Sequence, residues 1–563
     1  MKNIFRILFL ILLFSACTKD YLQKYPLDKP SDQTFLSTPE EMEVASNALY
    51  NGLYWKWNWE NTSTFFALDY GTDIGIRRPE NAYTFPWVYS GQDASTGIFR
   101  NAWSVFYKNI ERANYIIEKL PLSKENVDEG FYNRIMAEAL WHRAFSYFYL
   151  TELFGDVPFI DKVLFNYNEA YSYQRTSKAT IVISILKDLD FCIANLPDAW
   201  GGADYGRVSK ATAGALKARI ALYNEKWDVA ANAAQTVMGL GIDLAPDYEK
   251  LFLYEGNQKP EVLLAIQYQK DNVYQSFPTI GGSLNVGGWS ITMPTRSLVD
   301  SYECMDGLPI SESPIFDPRN PYENRDPRLK ATILTPGQWF CKSLFNIYDP
   351  ITSQIVNGVT VAIKNQDFTY TGITTFTGFL QKKSIDPKDV YDNTIWNSQN
   401  ATILFRYAEV LLTYAEAKVE LNQFDQSVCD ATINKIRSRV NMPAKNVGGL
   451  SQAQKRSLVR QERKIELALE GQRFFDIRRW KFAEHIMNND YLIGRYKQSV
   501  LNGSLSVPRP TFDEWGISHY LNEKDLFEAI PLKFKFNKDR DYLWPIPQTE
   551  INVVPTLDQN PGY

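Results

Sequence analysis

Hydrophobic residues recur at spacings of three and four along much of the chain, a pattern typical of amphipathic helices. Residues 131–154 carry a broad apolar stripe of this kind, and Gly155 follows as a helix stop signal. Residues 178–196 predict a second helix, and Ser209 is placed to cap a third that runs to about Tyr223. The pattern therefore predicts a body built mainly from helices.

Two segments repeat an arrangement in which two small residues flank one bulky aromatic residue at spacings of nine and seven. The copies are Ala218, Trp227 and Ala234 within residues 209–238, and Ala415, Phe424 and Ala431 within residues 402–439. Small residues on facing helices allow close antiparallel packing, as in tetratricopeptide (TPR) repeats. Because such pairs need neighbours to bury their faces, we expect more degenerate pairs in residues 36–56 and 95–150.

Two other stretches are irregular. Residues 51–100 are crowded with Trp and Tyr, and residues 271–400 are rich in Gly, Pro, Thr and Asn, with short β-like runs at 331–334 and 359–363. Loops this long in a compact protein usually carry function. The predicted fold class is therefore mainly α, a TPR-containing superhelix with a loop-rich, irregular ligand-binding lobe and little β structure.

The N-terminus has the pattern of an export signal. Lys2 and Arg6 lie at the start, residues 7–14 form an apolar run, and two small residues precede Cys17. This arrangement resembles a bacterial lipobox, with Phe14 in place of the usual Leu, so we expect a signal peptide over residues 1–16 and lipidation at Cys17. Ordinary secretion with an incidental cysteine is the alternative. No other segment approaches 18 apolar residues, so we predict no transmembrane helix.

Composition disfavours catalysis and nucleic-acid binding. The net charge is −5, and the three histidines, His142, His485 and His519, are far apart in sequence. The chain has no P-loop, GxSxG, GxGxxG or CxxC motif. We therefore predict no enzyme activity, no cofactor, no metal site and no nucleic-acid partner.

The remaining polar features favour structural roles. We expect His142 to be a packed, hydrogen-bonded core residue, and the mixed charges of residues 455–480 to form ion pairs on a solvated helix face. Cys192 and Cys429 lie in helical patterns and are expected in the core. Whether Cys304 and Cys341 form a disulfide is left open by their spacing.

Aromatic residues in the irregular stretches are the best candidates for ligand contact. They are Trp55, Trp57, Trp59, Tyr83, Trp87 and Tyr89 in the first stretch, and Trp289 and Trp339 in the second. An exposed indole is a flat apolar plate on which the C–H face of a sugar ring can stack, although core packing is the more common role of any single aromatic residue. Nearby Asp73, Arg77, Asn81 and Asp93 could bond to sugar hydroxyls.

Several long blocks resemble the SusD/RagB family, and they occur in the expected order along essentially the whole chain. They are AEALWHRAFSYFYLTELFGDVPFI (137–160), VSKATAGALKARIALY (208–223), GGWSITMPTRSLVDSYECMDGLPI (287–310), NRDPRLKATIL (324–334), FRYAEVLLTYAEAKVEL (405–421), RQERKIELALEGQRFFDIRRW (460–480) and YLWPIPQTEINVVPTLDQNPGY (542–563).

The resemblance implies a surface-exposed lipoprotein, anchored in the outer membrane of a Bacteroidetes-type bacterium. Such a protein binds a nutrient and passes it to a SusC-like TonB-dependent transporter, on which it sits as a lid. The nutrient is mostly a glycan, and a peptide in the RagB branch is the alternative. The implied organisation is a signal peptide at 1–16, an N-terminal half at 17–250, and a C-terminal half at 251–563 with ligand loops at about 271–400, a TPR pair at about 402–439 and C-terminal helices. By position in the loops, the expected glycan-binding residues are Asp73, Tyr83, Trp87 and Trp289.

Overall fold

The computed structural model describes nine ranges of the chain. They are residues 35–56, 61–78, 86–88, 91–164, 166–368, 373–488, 493–501, 507–530 and 534–563. The predicted signal peptide, Cys17 and Tyr83 lie outside these ranges.

Helices dominate the described residues. The longest are α1 (Pro39–Leu49), α2 (Gly97–Lys119), α3 (Glu129–Phe154), α4 (Lys178–Asn195), α5 (Lys210–Tyr223), α6 (Trp227–Met238), α7 (Tyr407–Glu420) and α8 (Gln452–Glu466). Shorter helices cover Thr64–Ala67, Tyr167–Ala170, Phe277–Gly281, Arg296–Ser301, Pro327–Thr332, Pro387–Tyr391, Gln426–Cys429, Lys435–Ser438, Arg473–Arg479, Ala483–Ile486, Gln498–Leu501, Glu523–Leu526 and Gln548–Val553. The predicted helices are confirmed, and the Ser209 side chain caps α5 through a capping box with Thr212.

Consecutive long helices pack against one another from α1 to α8, which confirms a TPR-like superhelix. The chain leaves this stack after α6 and returns at α7, yet α6 and α7 are in contact. The segment between α6 and α7 is bracketed by two paired antiparallel strands, Val262–Ile266 and Thr402–Arg406. Helix α7 begins directly after the second of them. The loop-rich lobe is thus an insertion between two stacked repeats.

The strands are short and form small separate antiparallel sheets. Their bounds are β1 (Gly75–Arg77), β2 (Val157–Pro158), β3 (Arg175–Thr176), β4 (Val262–Ile266), β5 (Thr292–Pro294), β6 (Ile333–Leu334), β7 (Trp339–Phe340), β8 (Ser343–Leu344), β9 (Ile351–Val356), β10 (Val359–Lys364), β11 (Leu380–Gln381), β12 (Thr402–Arg406), β13 (Ile493–Tyr496), β14 (Thr511–Phe512), β15 (Ser518–His519) and β16 (Phe527–Ala529). The pairs are β1–β5, β2–β3, β4–β12, β6–β11, β13–β16 and β14–β15, and one larger sheet has the order β10-β9-β8-β7. Of the two β-like runs, 359–363 lies in a strand, whereas in 331–334 only Ile333 and Leu334 form a strand and the first two residues end a helix.

The small residues of the repeat occupy the helix interfaces with one exception. Ala218, Ala234 and Ala415 are buried, but Ala431 is exposed and the neighbouring Thr432 is buried in its place. Asp430–Asn434 forms a π-helical turn, whose wider spacing differs from the α-helical register that the repeat assumed. The prediction for Ala431 was therefore wrong.

The first irregular stretch is largely interior. Residues 62–77 are all buried, contrary to the expectation of a surface loop. Asp69 accepts hydrogen bonds from the backbone N–H groups of Gly471 (2.8 Å) and Phe474 (3.2 Å), which docks this segment on the turn after α8. Gly471 has φ +81°, and a Cβ there would lie 2.0 Å from the Phe65 carbonyl oxygen, so only glycine fits this contact.

The charged segment 455–480 forms ion pairs, as expected, but not on a solvated face. It breaks into α8 and the helix Arg473–Arg479, and its charged residues from Glu462 onward are mostly buried. Three of them, Glu462, Glu466 and Glu470, belong to a buried ion network. Its cations are Arg328, Lys383, Arg406, Arg437 and Arg439, and its other anions are Glu261, Glu303 and Asp326.

Glu466 is the centre of this buried ion network. Its carboxylate accepts hydrogen bonds from Arg406 (2.7 Å), Arg328 (2.9 Å) and Arg439, and its side chain has no exposed surface. Burial alone would raise the pKa of this carboxyl group, but the three guanidinium groups outweigh burial and hold the pKa well below its usual range. Glu466 is therefore a fixed negative charge.

We predict that Glu466→Gln lowers the free energy of unfolding by about 3–5 kcal/mol, because it removes the negative charge that three buried guanidinium groups share. Urea denaturation followed by far-UV circular dichroism measures this change. Glu323→Gln is the matched control, because Glu323 forms an exposed ion pair with Lys330. Removing this pair should change the free energy of unfolding only slightly. Equal stability of the two variants would contradict a central role for Glu466.

His142 is fully buried, as expected, but it is not hydrogen-bonded. Neither ring nitrogen has a hydrogen-bond partner among the described residues, and the ring packs edge-to-face against Tyr50 (4.7 Å) and Trp141 (5.1 Å). Burial disfavours the charged imidazolium and lowers the pKa of His142 from 6.5 to about 3.

This shift predicts an acid-dependent loss of stability. As pH falls below about 6.5, the unfolded chain binds a proton at His142 and the folded chain does not. The free energy of unfolding therefore falls by about 3 kcal/mol by about pH 4. In denaturation curves recorded from pH 7 to pH 4, we expect His142→Leu to remove this contribution to the decrease in the free energy of unfolding. His485→Gln, at an exposed position, is the control. An unchanged pH dependence in His142→Leu would contradict the prediction.

The four described cysteines are free and buried. Cys192 and Cys429 lie in helices, as expected. Cys304 and Cys341 are not joined, which answers the question that their spacing left open.

Candidate functional site

Two indoles form an exposed corner on the loop-rich lobe. The rings of Trp289 and Trp396 meet edge-to-face, with centroids 4.6 Å apart and planes at 78°. Their exposed fractions are 37% and 41%, so each ring keeps solvent-facing surface. Contiguous exposed aromatic surface of this kind commonly marks a binding site. We call this pair the indole corner.

Both halves of the indole corner are attached to one short helix, Phe277–Gly281, or to Ser276, the residue directly before it. The Trp289 backbone N–H donates to the Thr279 carbonyl oxygen (2.7 Å). On the other side, the Ser276 hydroxyl donates to the Trp396 carbonyl oxygen (3.0 Å) and the Thr279 hydroxyl to that of Ile395 (2.9 Å). Residues distant in sequence are thus held together by a common support.

The loop before Trp289 passes close to its own beginning. Gly288 donates its N–H to the Ser283 carbonyl oxygen (2.8 Å), and a Cβ at Gly288 would lie 2.2 Å from the Gly282 carbonyl carbon. Only glycine permits this approach. The tight loop therefore sets the backbone from which the Trp289 indole projects.

Arg78 links the indole corner to β1. Its backbone N–H donates to the Ile291 carbonyl oxygen (2.9 Å), continuing the pairing of β1 with β5. Its guanidinium group donates to the Trp289 carbonyl oxygen and to that of Ile373 (2.8 Å). This brings a cation next to the indole corner.

Hydrogen-bonding groups lie beside Trp396. Asn397 and the exposed Asp271 bond to each other through their side chains, and the Asp271 backbone N–H donates to the Asn397 amide oxygen (2.9 Å). Gln275 and Ser398 exchange a pair of backbone hydrogen bonds of 2.9 Å just beyond. An apolar platform edged by fixed polar groups is the usual composition of a small-ligand site.

Asp73 does not face solvent. It is 2% exposed and makes a bidentate ion pair with Arg473 (2.8 and 2.9 Å), with the Lys464 ammonium group 3.2 Å away. Burial acts to raise its pKa, but these two cations outweigh burial and lower it to about 2. Asp73 is a buried structural anion in this structure, and we remove it from the candidate site.

Trp87 is also interior. Its ring has no exposed surface, stacks on Trp544 (5.2 Å, 26°) and meets Phe474 edge-to-face (5.7 Å). A ring enclosed in this way cannot offer a face to a ligand at the surface, so Trp87 is a core residue. Tyr83 lies outside the described residues, and its predicted role stays a prediction.

Of the four expected ligand-binding residues, Trp289 alone is exposed within the described residues, and sequence reasoning missed its partner. Trp396 lies within the predicted ligand-loop region, next to three asparagines, Asn393, Asn397 and Asn400. A tryptophan in such a polar segment has few apolar neighbours in sequence, and that signal could have identified it. Its contact with Trp289, 107 positions away, depends on tertiary structure.

The chain is similar to proteins of one family along nearly its whole length. A family model described as "SusD family" matches residues 260–563, more than half of the chain, and one described as "Starch-binding associating with outer membrane" matches residues 20–222. The chain belongs to the SusD family. The resemblance seen in the sequence blocks is thereby confirmed.

Individual SusD-like relatives match nearly the whole chain. The SusD-like protein P2 of Formosa agariphila is 26% identical over 99% of both chains, and a SusD-like protein of Bacteroides ovatus is 25% identical over 98% of this chain and 96% of its own. The crystal structure of a SusD-like carbohydrate-binding protein from Bacteroides fragilis has a TM-score of 0.78 and 28% identity, and the match covers 93% of this chain and 100% of that one. Within the described residues, no helix is both long and apolar enough to cross a membrane.

Proposed function

We propose that this SusD-family protein binds an oligosaccharide or polysaccharide at the cell surface and that the indole corner of Trp289 and Trp396 is its stacking platform. The observation that carries the proposal is the exposure of two contacting indoles on a common support. Burying the face of a sugar ring against an indole removes apolar surface of both from water. The fixed polar groups around Asn397 and Asp271 are placed to bond to ring hydroxyls.

Family membership supports the same proposal. The Bacteroides fragilis relative with 28% identity is described as a carbohydrate-binding protein, and the family model that matches residues 20–222 is described as starch-binding. The chain's own geometry adds a platform of the kind that carbohydrate recognition uses. The function is capture of the ligand without bond chemistry.

We further propose that the protein is anchored at the outer membrane, facing the exterior, through lipid on Cys17, and that it delivers its glycan to a SusC-like TonB-dependent transporter. The lipobox-like pattern before Cys17 supports the anchor. The stacked helices of the superhelix supply a surface on which a transporter could dock. Opening and closing of this lid would couple capture to import.

We predict that Trp289→Ala and Trp396→Ala each weaken glycan binding about tenfold or more, because each removes one face of the platform. The measurement is affinity electrophoresis of residues 18–563 against a panel of polysaccharides and a peptide mixture, followed by isothermal titration calorimetry with the glycan that causes retardation.

Trp339→Ala is the matched control for this experiment. Trp339 is a 46% exposed indole of the same lobe, but it lies on a different element, β7. Glycan binding that survives in both corner variants would contradict the site while leaving the function intact. Saturable binding of peptides without any glycan would instead establish the RagB-type alternative.

We predict that Cys17→Ala releases the protein from the membrane fraction of its host, because diacylation at this thiol would supply the stable anchor. Immunoblotting of membrane and soluble fractions measures the change, with Cys192→Ala as the control at a buried thiol. A Cys17→Ala protein that stays in the membrane fraction and at the surface would contradict lipid anchoring.

A further inference from the structure

Strand β10 is the outer strand of the largest sheet. The sheet has the order β10-β9-β8-β7, so one side of β10 bonds to β9 and the other side has no neighbouring strand in the described part of the chain. β10 pairs with β9 over six residues in an unbroken register, from Val359 to Lys364. Thr360, Ala362 and Lys364 are exposed. β10 is therefore an open sheet edge at the surface of the loop-rich lobe.

The turn before β10 sets the direction of its backbone groups. Asn357 and Gly358 form a two-residue loop with φ values of +53° and +81°, which is the conformation of a type I′ turn. The residues on either side of the loop, Val356 and Val359, are then a hydrogen-bonded pair, and bonded and non-bonded pairs alternate along the two strands. Every second residue of β10, starting from Val359, therefore bonds to β9.

The residues between them direct their backbone groups away from β9. Thr360, Ala362 and Lys364 occupy these positions. In agreement, Ile355, which lies opposite Thr360, donates its N–H to the Lys342 carbonyl oxygen (2.8 Å) and not to β10. The outward N–H and C=O groups of the three β10 residues have no partner among the described residues. They form a row of donors and acceptors that another strand can bond to.

β10 lacks the features that usually keep a sheet edge from pairing with another strand. Edges are commonly blocked by proline, by charged residues, by bulges or by short length. Residues 359–364 read VTVAIK, with one charge at the end, no proline and no bulge. In contrast, β7 at the opposite edge of the same sheet is only two residues long. Of the two edges of this sheet, β10 is the one suited to strand addition.

A second copy of β10 fits this edge. When two copies pair antiparallel about Ala362, each Ala362 lies opposite the other and Thr360 lies opposite Lys364, so the outward groups of both strands are all paired. No like charges face each other, because Lys364 meets a neutral side chain. On the other face of the sheet Val361 lies opposite Ile363, which joins the apolar side chains of the two copies in one band.

From this geometry we propose that the protein associates with a second copy of itself through β10, in the antiparallel register centred on Ala362. The joined sheet has eight strands, four from each copy. Because both copies use the same surface, the contact closes at two copies and leaves only the short β7 edges free. The proposal goes beyond glycan binding and does not depend on it.

Pairing through β10 also brings two candidate sites into one assembly. β10 leads directly into Asn365 and Asp367, which hold the loop before Trp289. Asn285 donates its side-chain amide to the Asn365 amide oxygen (2.8 Å), and Leu284 donates its N–H to the Asp367 carboxylate (2.9 Å). Two paired copies could engage one polymeric ligand at two points, which raises its overall affinity without any new contact. This consequence, unlike the pairing itself, rests on the proposed function.

Sedimentation velocity of residues 18–563 tests the pairing, over concentrations from about 1 to about 500 µM because an interface of one strand pair is of the weak class. We expect a monomer–dimer equilibrium. Thr360→Lys places a lysine opposite Lys364 of the second copy at both ends of the contact, and it should weaken association about tenfold or more. The double variant Thr360→Lys/Lys364→Glu converts these like-charge pairs into opposite-charge pairs and should restore association.

Covalent trapping tests the register. Residues opposite each other in a hydrogen-bonded pair have Cα atoms about 5.5 Å apart, within the range of a disulfide. Ala362→Cys should therefore give a disulfide-linked dimer on oxidation with diamide, seen on a non-reducing gel. Thr360→Cys is the matched control on the same strand, because the two introduced thiols are four residues out of step, about 13 Å along the strand. The four buried cysteines are common to both variants.

A further variant removes the bonding edge itself. Ala362→Pro deletes an N–H that points away from β9, so the hairpin keeps its own bonds while dimerisation should be lost. Melting curves by circular dichroism that match the unmodified protein identify the variants that fold. A monomer at every concentration, equal trapping of the two cysteine variants, or a dimer that Thr360→Lys and Ala362→Pro leave unchanged would overturn the inference. Loss of co-purification with a transporter in Ala362→Pro, from a protein that is monomeric alone, would assign the edge to that transporter and overturn self-pairing.

Discussion

The buried ion network around Glu466 is the constraint on which the arrangement of the molecule depends. Its members come from the helical body and from the inserted lobe alike, since Glu462 and Glu466 lie on α8 whereas Arg328 and Lys383 lie in the insertion. Charges removed from water must be matched closely by partners, because an uncompensated buried charge is far more costly than a misplaced surface charge. The network therefore fixes how the lobe sits on the superhelix.

The attachment of the lobe to the superhelix determines where the candidate site lies. The lobe leaves the helical stack through β4 and returns through β12, and Arg406 at the end of β12 binds both Glu466 and Glu261, which precedes β4. Within the lobe, the helix Phe277–Gly281 then brings Trp289 and Trp396 together. The proposed binding surface thus lies on loops, and their position is set by buried charge and by short strands that join them to the body.

Burial accounts for most of the differences between expectation and structure. Asp73 and Trp87 were expected in ligand loops because their surroundings in sequence are irregular, yet both are core residues. Irregular backbone can be interior when its polar groups find partners, as Asp69 does with two backbone N–H groups and Asp73 with Arg473. The mixed charges of 455–480 likewise indicated ion pairs correctly and solvent exposure wrongly.

The sequence by itself determined the helices of the superhelix and the capping of one of them by Ser209, because both depend on local patterns. It also determined the position of the inserted lobe and the family, because these depend on long blocks in a fixed order. It also pointed to Trp289. Tertiary structure alone decided which aromatic residues are exposed, that Trp396 lies 4.6 Å from Trp289, and at what angle the two rings meet. The physical reason is that exposure and ring geometry depend on contacts between residues distant in sequence, which local patterns of hydrophobic and polar residues do not encode.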